Sequence, residues 1–240
     1  MAARVAVACR AVLTDVEGTT STIAYVHEVL FPYADARLNG FVTAHRADPA
    51  VAQALRDAAR EAGEPPDADD ATILAHLHRW IAEDRKSTPL KALQGLIWDE
   101  GFRRGELRSH VYDDAAAGLR RWREAGLRLY VYSSGSIAAQ HALFSNTAHG
   151  DLRGLFSGHF DTTTGPKREP ASYVAIARAI GTAPGEVVFL SDVDAELDAA
   201  QSAGMRTVRL LRPADTPPGA TTRHPAVTSF DQLELARLDA

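Results

Sequence analysis

The sequence predicts an α/β fold, with a doubly wound core around a parallel sheet and a helical domain inserted directly after the first core strand. Three observations carry that expectation. Three β-rich runs end abruptly in small or acidic residues; helical patterns alternate with them; and between Thr20 and about His110 strand-like runs give way to amphipathic helical texture. The expected domains are residues 1–20 and 111–240 for the core and 21–110 for the insert.

Taken in order, residues 5–13 read as a lead-in to a buried strand. Arg10 interrupts the stretch and no cleavage signal follows it, which argues against a signal-peptide core. The first run, Ala11-Val12-Leu13-Thr14, ends at Asp15. Helices of the insert are expected at about 25–45, 49–62, 70–85 and 89–104, with the Gly- and Pro-bearing stretch 63–67 as a loop between two of them. So long a helical stretch exceeds the dozen or so residues of a simple crossover, so the insert reads as a cap over an active site. A helix at 113–125, closed by Gly126, leads into the second run at 127–132, which ends in Ser133-Ser134-Gly135 and opens a helix at 136–144. Another helix at 172–180 precedes the third run, Val187-Val188-Phe189-Leu190, which ends in Ser191-Asp192 before a helix at 195–203. Residues 205–211 read as one more strand. Pro213, Pro217, Pro218 and Gly219 then mark a surface loop, and the segment from Pro213 onward carries no readable chemistry. Ligands gather at the carboxyl ends of parallel strands, so the three run ends are expected to meet.

Composition narrows the function. With 45% hydrophobic and 24% charged residues and a formal net charge of -5, the chain has the make-up of a globular protein and no basic footprint for DNA or RNA. No run approaches the roughly 18 apolar residues of a membrane span. Cys9 is the single cysteine, which excludes an internal disulfide and fits a reducing compartment, with the cytoplasm as the default.

The run ends carry the chemistry. Asp15 and Glu17 lie two apart at a strand end, where one carboxylate can attack phosphorus while the other manages the leaving-group proton, and Gly18 lets the backbone turn beside a ligand. Ser133 and Ser134 offer hydroxyls and backbone N–H groups to a phosphate oxyanion, or serve as helix N-caps. Lys167, in Gly165-Pro166-Lys167-Arg168, is suited to neutralise the phosphate and the attacking carboxylate together, with Arg168 as its competitor. Asp192 together with Asp15 supplies hard oxygen ligands for Mg²⁺, and Asp194 or Glu196 follows as a helper. His27 and His159 are further base candidates. Lys91, Gln94 and Trp98, at i, i+3 and i+7, share one face of a predicted helix. Each feature has an ordinary alternative as surface charge, cap or core, but their ordered recurrence at three strand ends does not.

In this order, acid pair, serine, lysine, aspartate, the sequence resembles the haloacid-dehalogenase-like superfamily, which implies a Rossmann-like core with an inserted α-helical cap. The runs Asp15-Val16-Glu17-Gly18-Thr19-Thr20, Leu90-Lys91-Ala92-Leu93-Gln94-Gly95-Leu96-Ile97-Trp98, Tyr130-Val131-Tyr132-Ser133-Ser134-Gly135-Ser136 and Gly158-His159-Phe160-Asp161-Thr162 look like the enolase-phosphatase family of methionine salvage, with Glu17 where most of the superfamily has a second Asp. That resemblance implies Asp15 as nucleophile and Mg²⁺ ligand, and Glu17 as acid/base that also contributes to the metal site. It implies Ser133, Ser134 and Lys167 at the substrate phosphate and Asp192 as a metal ligand, with one Mg²⁺ per chain. The implied reaction converts 2,3-diketo-5-methylthiopentyl-1-phosphate to an acireductone by enolisation and phosphate release. One such site requires no partner chain, so a monomer is the default, and the composition gives no reason to expect a nucleic-acid or membrane partner. The alternatives are a general small-phosphomonoester phosphatase of the same superfamily and a non-catalytic Mg²⁺/phosphate-binding module.

Overall fold

The structure is a computed structural model that describes residues 4–65 and 67–238; Pro66 of the expected 63–67 loop lies outside them, as do the extreme ends of the expected core. In chain order its elements are β1 (Val5–Cys9), β2 (Ala11–Thr14), α1 (Ile23–Tyr25), a π-helical turn (Val26–Leu30), α2 (Phe31–Ala44), α3 (Pro49–Ala62), α4 (Asp70–Ala82) and α5 (Thr88–Arg103). There follow α6 (Asp113–Glu124), β3 (Arg128–Tyr132), α7 (Ile137–Ser145), β4 (Phe156–Phe160), α8 (Pro170–Ala179), β5 (Val187–Ser191), α9 (Asp194–Ser202), β6 (Arg206–Leu210), β7 (Ala226–Val227) and β8 (Leu233–Arg237). The chain divides into two compact units, Met1–Ile23 with Arg108–Ala240, and Ala24–Leu107.

The first unit is built on a six-stranded sheet of order β4-β3-β2-β5-β6-β7, parallel throughout. Period-2 alternation sorts its side chains. Val12, Leu129, Val131, Val188 and Leu190 face one apolar cluster that includes Trp122 of α6 and Phe144 of α7. Leu13, Tyr130, Tyr132, Val187 and Phe189 face the other, with Tyr173 of α8 and Leu197 of α9. Burial on both faces explains why these strands read as continuous apolar runs. From central β2 the chain moves outward to β3 and β4, then returns to β5 on the opposite side, so the carboxyl ends of β3, β2 and β5 flank a point where strand order reverses.

Two expectations change here. Residues 5–13 form two strands broken at Arg10, and Val5–Cys9 pairs in parallel with Leu233–Arg237 as a separate two-stranded sheet. The segment after Pro213 therefore does more than loop over the surface, since it supplies β7 and β8.

The second unit is helical. Asp48, Asp69 and Ser87 each accept a backbone N–H within the first turn of α3, α4 and α5, which satisfies donors that a helix start leaves orphaned. Its core gathers Leu38, Leu55, Leu77, Trp80, Leu93 and Ile97. The shared face of Lys91, Gln94 and Trp98 is not uniform: Gln94 is buried, Lys91 is exposed, and the Trp98 indole donates to the Leu30 carbonyl at 2.8 Å. Among the described residues no helix is long and apolar enough to cross a membrane.

Candidate active site

Asp15, Glu17, Ser133, Ser134, Lys167 and Asp192 all lie in the sheet unit, just beyond the ends of β2, β3 and β5 or in the segment leading into α8. Asp15 follows β2 directly. Its backbone N–H still bonds to Leu190 of β5 at 2.9 Å, so the sheet itself sets the start of the turn. The Asp15 side chain is 8% exposed, and its Oδ1 accepts the Val16 N–H at 2.8 Å and the Lys167 ammonium at 2.8 Å. Downstream, the N–H groups of Thr19, Thr20 and Ser21 all bond to the Val16 carbonyl, which closes the turn tightly around Glu17 and Gly18. Glu17 is exposed, in contrast to Asp15.

Lys167 is the buried cation of its segment and Arg168 is exposed, which favours Lys167. The ammonium reaches Asp15 on one side and Glu196 Oε2 on the other at 2.6 Å. Burial alone would lower its pKa, but attraction to Asp15 and Glu196 carries it above the ordinary lysine value, so it stays charged. Three hydrogen bonds hold the backbone around it: Tyr132 Oη to the Gly165 carbonyl at 2.8 Å, Ser172 Oγ to the Pro166 carbonyl at 2.8 Å, and Tyr173 Oη to the Lys167 carbonyl at 2.7 Å.

Glu196 and Asp194 were open as helpers, and the structure separates them. Glu196 takes the Lys167 ammonium and the Ser191 hydroxyl, whereas Asp194 faces Arg209 and Thr222. Burial, then the charge of Asp15, raises the Glu196 pKa to about 6. The clue in the sequence is spacing, because Glu196 stands one helical turn beyond Asp192, but Asp194 shares nearly the same claim.

Asp192 ends β5 as expected. Burial, then the nearby Asp15 charge, pushes its pKa up to about 7. Its Oδ1 is buried and has no hydrogen-bond partner among the described residues. Gly18 has φ +68°, and a Cβ there would stand 2.5 Å from Asp192 Cγ, so only glycine allows the turn to lie against this carboxylate. An orphaned buried carboxylate oxygen beside a second acid, with room made for it by a glycine, fits a hard divalent cation. Among the described residues no three His, Cys, Asp or Glu side chains cluster to hold a metal by themselves.

On the other side of β2, Ser133 is buried and Ser134 exposed. Neither caps α7. Ser136 does, its Oγ accepting the Ala139 N–H at 3.2 Å, while Ser133 Oγ accepts the Gly135 N–H at 3.1 Å. His159 packs against α7, its ring 4.3 Å from that of His141, and its pKa is lowered to about 4 by burial first and His141 second. His27 is exposed in the helical unit against Phe31.

An acid held against a buried lysine at the end of the central strand, a serine turn on one flank and an aspartate on the other define a phosphoryl-transfer class of hydrolase. The family model of haloacid dehalogenase-like hydrolases matches residues 9–204, and the chain belongs to that family. It is similar to the Enolase-phosphatase E1 of Azotobacter vinelandii, 55% identical over 227 residues, which are 95% of this chain and 98% of that one. It is also similar to the Enolase-phosphatase E1 of Methylococcus capsulatus, 53% identical over 93% of this chain and 97% of the relative. Among solved structures, the UTR4 protein of Saccharomyces cerevisiae is 34% identical with a TM-score of 0.78, over 93% of this chain and 99% of that one. CbbY of Rhodobacter sphaeroides in complex with phosphate, 20% identical with a TM-score of 0.59 over 92% of this chain and 95% of that one, shares the fold.

Proposed function

We propose that this chain is an enolase-phosphatase that converts 2,3-diketo-5-methylthiopentyl-1-phosphate to the acireductone 1,2-dihydroxy-3-keto-5-methylthiopentene and phosphate, in methionine salvage. The observation that carries the reading is the buried Asp15–Lys167 pair at the end of the central strand, in a chain more than half identical to enolase-phosphatases along nearly its whole length.

The enolisation comes first. Glu17, the exposed acid of the turn, removes the α-proton of the diketone as general base. Asp15 then attacks phosphorus: a carboxylate O–P bond forms, the P–O ester bond breaks, and the leaving oxygen takes a proton from Glu17. Water hydrolyses the aspartyl phosphate with Glu17 as base, which returns Asp15 to its carboxylate; the enolate oxygen takes a proton from solvent to complete the enediol, and Glu17 returns the proton it took from water to solvent. Throughout, Lys167 offsets the repulsion between the Asp15 carboxylate and the phosphate dianion, and Ser133 and Ser134 bind the phosphate oxygens. Asp15, Asp192 and Glu17, the last through its backbone carbonyl or side chain, would hold one Mg²⁺, which when bound would stabilise enolate and phosphoryl charge. We assign the helical unit, residues 21–110 in the expected division, as the inserted cap domain. One chain supplies every assigned residue, so the working form is a monomer, in the cytoplasm, acting on this small phosphorylated diketone without nucleic-acid or membrane partners.

The test is incubation of the purified protein with the diketo phosphate, with and without Mg²⁺, following phosphate release and enediol absorbance together. Both signals are expected, and both in a Mg²⁺-dependent manner. Hydrolysis of generic phosphomonoesters without enediol would make it a general phosphatase of the family. No phosphate release from any ester would leave only a Mg²⁺/phosphate-binding module.

A further inference from the structure

Gln140 and Asp161 form a brace beneath the serine turn that no step above uses, although Asp161 belongs to one of the signature runs of the sequence. Gln140 lies on α7, 3% exposed. Its Nε2 donates to the Gly135 carbonyl at 2.9 Å and to the Phe160 carbonyl at 2.9 Å. With the amide nitrogen directed at two acceptors, Oε1 must be the acceptor, and it takes the Nδ1–H of His159 at 3.0 Å, which assigns that tautomer. Asp161 works from the opposite side: Oδ2 accepts the Ile137 N–H at 3.2 Å, and Oδ1 accepts the Thr163 N–H at 2.9 Å and the Thr163 hydroxyl. The Phe160 carbonyl also accepts the Ser133 N–H at 3.2 Å. Residues 133–137 are thereby tied to residues 159–163, a few positions before Lys167.

The consequence lies in one peptide plane. In a trans peptide the carbonyl and the next N–H point in opposite directions. Gln140 holds the Gly135 carbonyl toward the buried side of α7, so the Ser136 N–H is directed the other way, toward the exposed side of the turn. Glycine is the residue at which a peptide flip costs least, and a flipped Gly135–Ser136 peptide would present a carbonyl lone pair to an anion in place of a donor.

We propose that Gln140 is a positioning residue for phosphate binding: its amide locks the Gly135–Ser136 peptide with its N–H outward, while Asp161 locks the neighbouring turn. This rests on the assignment of the Ser133–Ser134 turn to the substrate phosphate.

The experiment compares wild type, Gln140→Leu and the double variant Gln140→Leu/Gly135→Ala, with Mg²⁺ present, using inorganic phosphate as the probe. Wild type is measured first, so a protein that neither releases nor is inhibited by phosphate refutes the functional reading rather than the brace. The inhibition constant of phosphate and the KM of the diketo phosphate are expected to rise about tenfold in Gln140→Leu, as loss of the one of its three hydrogen bonds that fixes the Gly135 carbonyl implies, with kcat changed less than about threefold. Alanine at 135 would touch Ser133 Oγ at an ordinary 3.6 Å and makes a flip costlier, so the double variant should recover part of the phosphate affinity, which a loss of stability alone would not allow. If Gln140→Leu does not fold, Gln140→Met, similar in volume and without polar hydrogens, carries the same expectation. An unchanged inhibition constant in a folded variant overturns the proposal, and so does an increase that Gly135→Ala fails to relieve.

Discussion

Replacing Gly18 by alanine separates the two reasons the turn needs glycine. The first is backbone conformation: φ is +68°, a region that costs an L-residue with a Cβ about 1–2 kcal/mol. The second is contact. The added Cβ would stand 2.5 Å from Asp192 Cγ and 3.0 Å from Asp192 Oδ1, against an ordinary limit of 3.4 Å. The carboxylate would have to retreat by about 1 Å, and a displacement of that size in a catalytic group costs on the order of 100-fold in rate. Gly181 is the matched control. Its φ is +60°, yet a Cβ there meets nothing within 4 Å, so Gly181→Ala carries the backbone cost alone.

Gly181→Ala should lose about 1–2 kcal/mol in urea unfolding, and Gly18→Ala at least as much, because pushing Asp192 aside adds to the backbone cost. Only Gly18→Ala should also lose about 100-fold in kcat/KM for phosphate release and need more Mg²⁺ for half-maximal rate. The reasoning is wrong if the two variants have the same kcat/KM and the same Mg²⁺ requirement. That result would mean Asp192 tolerates displacement and holds nothing that matters to turnover.

Other perturbations follow from the same geometry. Lys167→Met removes the ammonium between Asp15 and Glu196 and should destabilise the protein by about 3–5 kcal/mol, because two buried carboxylates lose their shared partner; a urea midpoint shift equivalent to under about 1 kcal/mol would refute the pairing as drawn. Glu17→Gln, at an exposed position, should leave stability within about 0.5 kcal/mol of wild type while slowing phosphate release by about 100-fold or more; normal turnover would remove Glu17 from the mechanism. His159 gives a pH dependence. Its folded pKa of about 4 lies below the ordinary 6.5, so between these values the unfolded chain binds more protons and stability rises with pH. The contribution is complete above about pH 6.5 and lost toward pH 4, on the order of 1 kcal/mol after discounting for partial exposure. His159→Gln should flatten the wild-type slope across that window, and an identical slope would count against the assignment.

What could be read without coordinates were the features with a local cause. Val12 and Leu13 face opposite sides of the sheet, so β2 is apolar throughout and stops visibly at Asp15. Asp48 before Pro49 marks the start of α3 because both the cap and the proline act within one turn. Pairings between distant segments left no such mark. Nothing in Val5–Cys9 announces Leu233–Arg237 as its partner, and a strand lying so near the chain end reads as tail until its neighbour is known. The choice between Asp194 and Glu196 has the same character. Arg209 and Thr222, which draw Asp194 away, stand 15 and 28 positions downstream. Likewise Ser136 rather than Ser133 or Ser134 caps α7, because the chain turns at Gly135 before the helix begins.

The charge balance at the site argues for what it holds. Asp15, Asp192 and Glu196 are all buried or nearly so, and Lys167 is the cation that meets Asp15 and Glu196. Three carboxylates against one ammonium leave two negative charges in a region of low polarizability, where an uncompensated charge is costly. Burial, then the Asp15 charge, pushes Asp192 up to about 7 and Glu196 up to about 6, in the direction of proton uptake, which is one relief of that excess. A divalent cation relieves the same excess and leaves the carboxylates ionised. Of the three, Asp192 is the one with an orphaned buried oxygen, whereas Glu196 Oε2 already holds the ammonium and the Ser191 hydroxyl. The hydrogen bonds divide the acids: Glu196 secures the lysine, Asp192 keeps the oxygen to which we assign the cation, and Asp15, the proposed nucleophile, shares the lysine with Glu196.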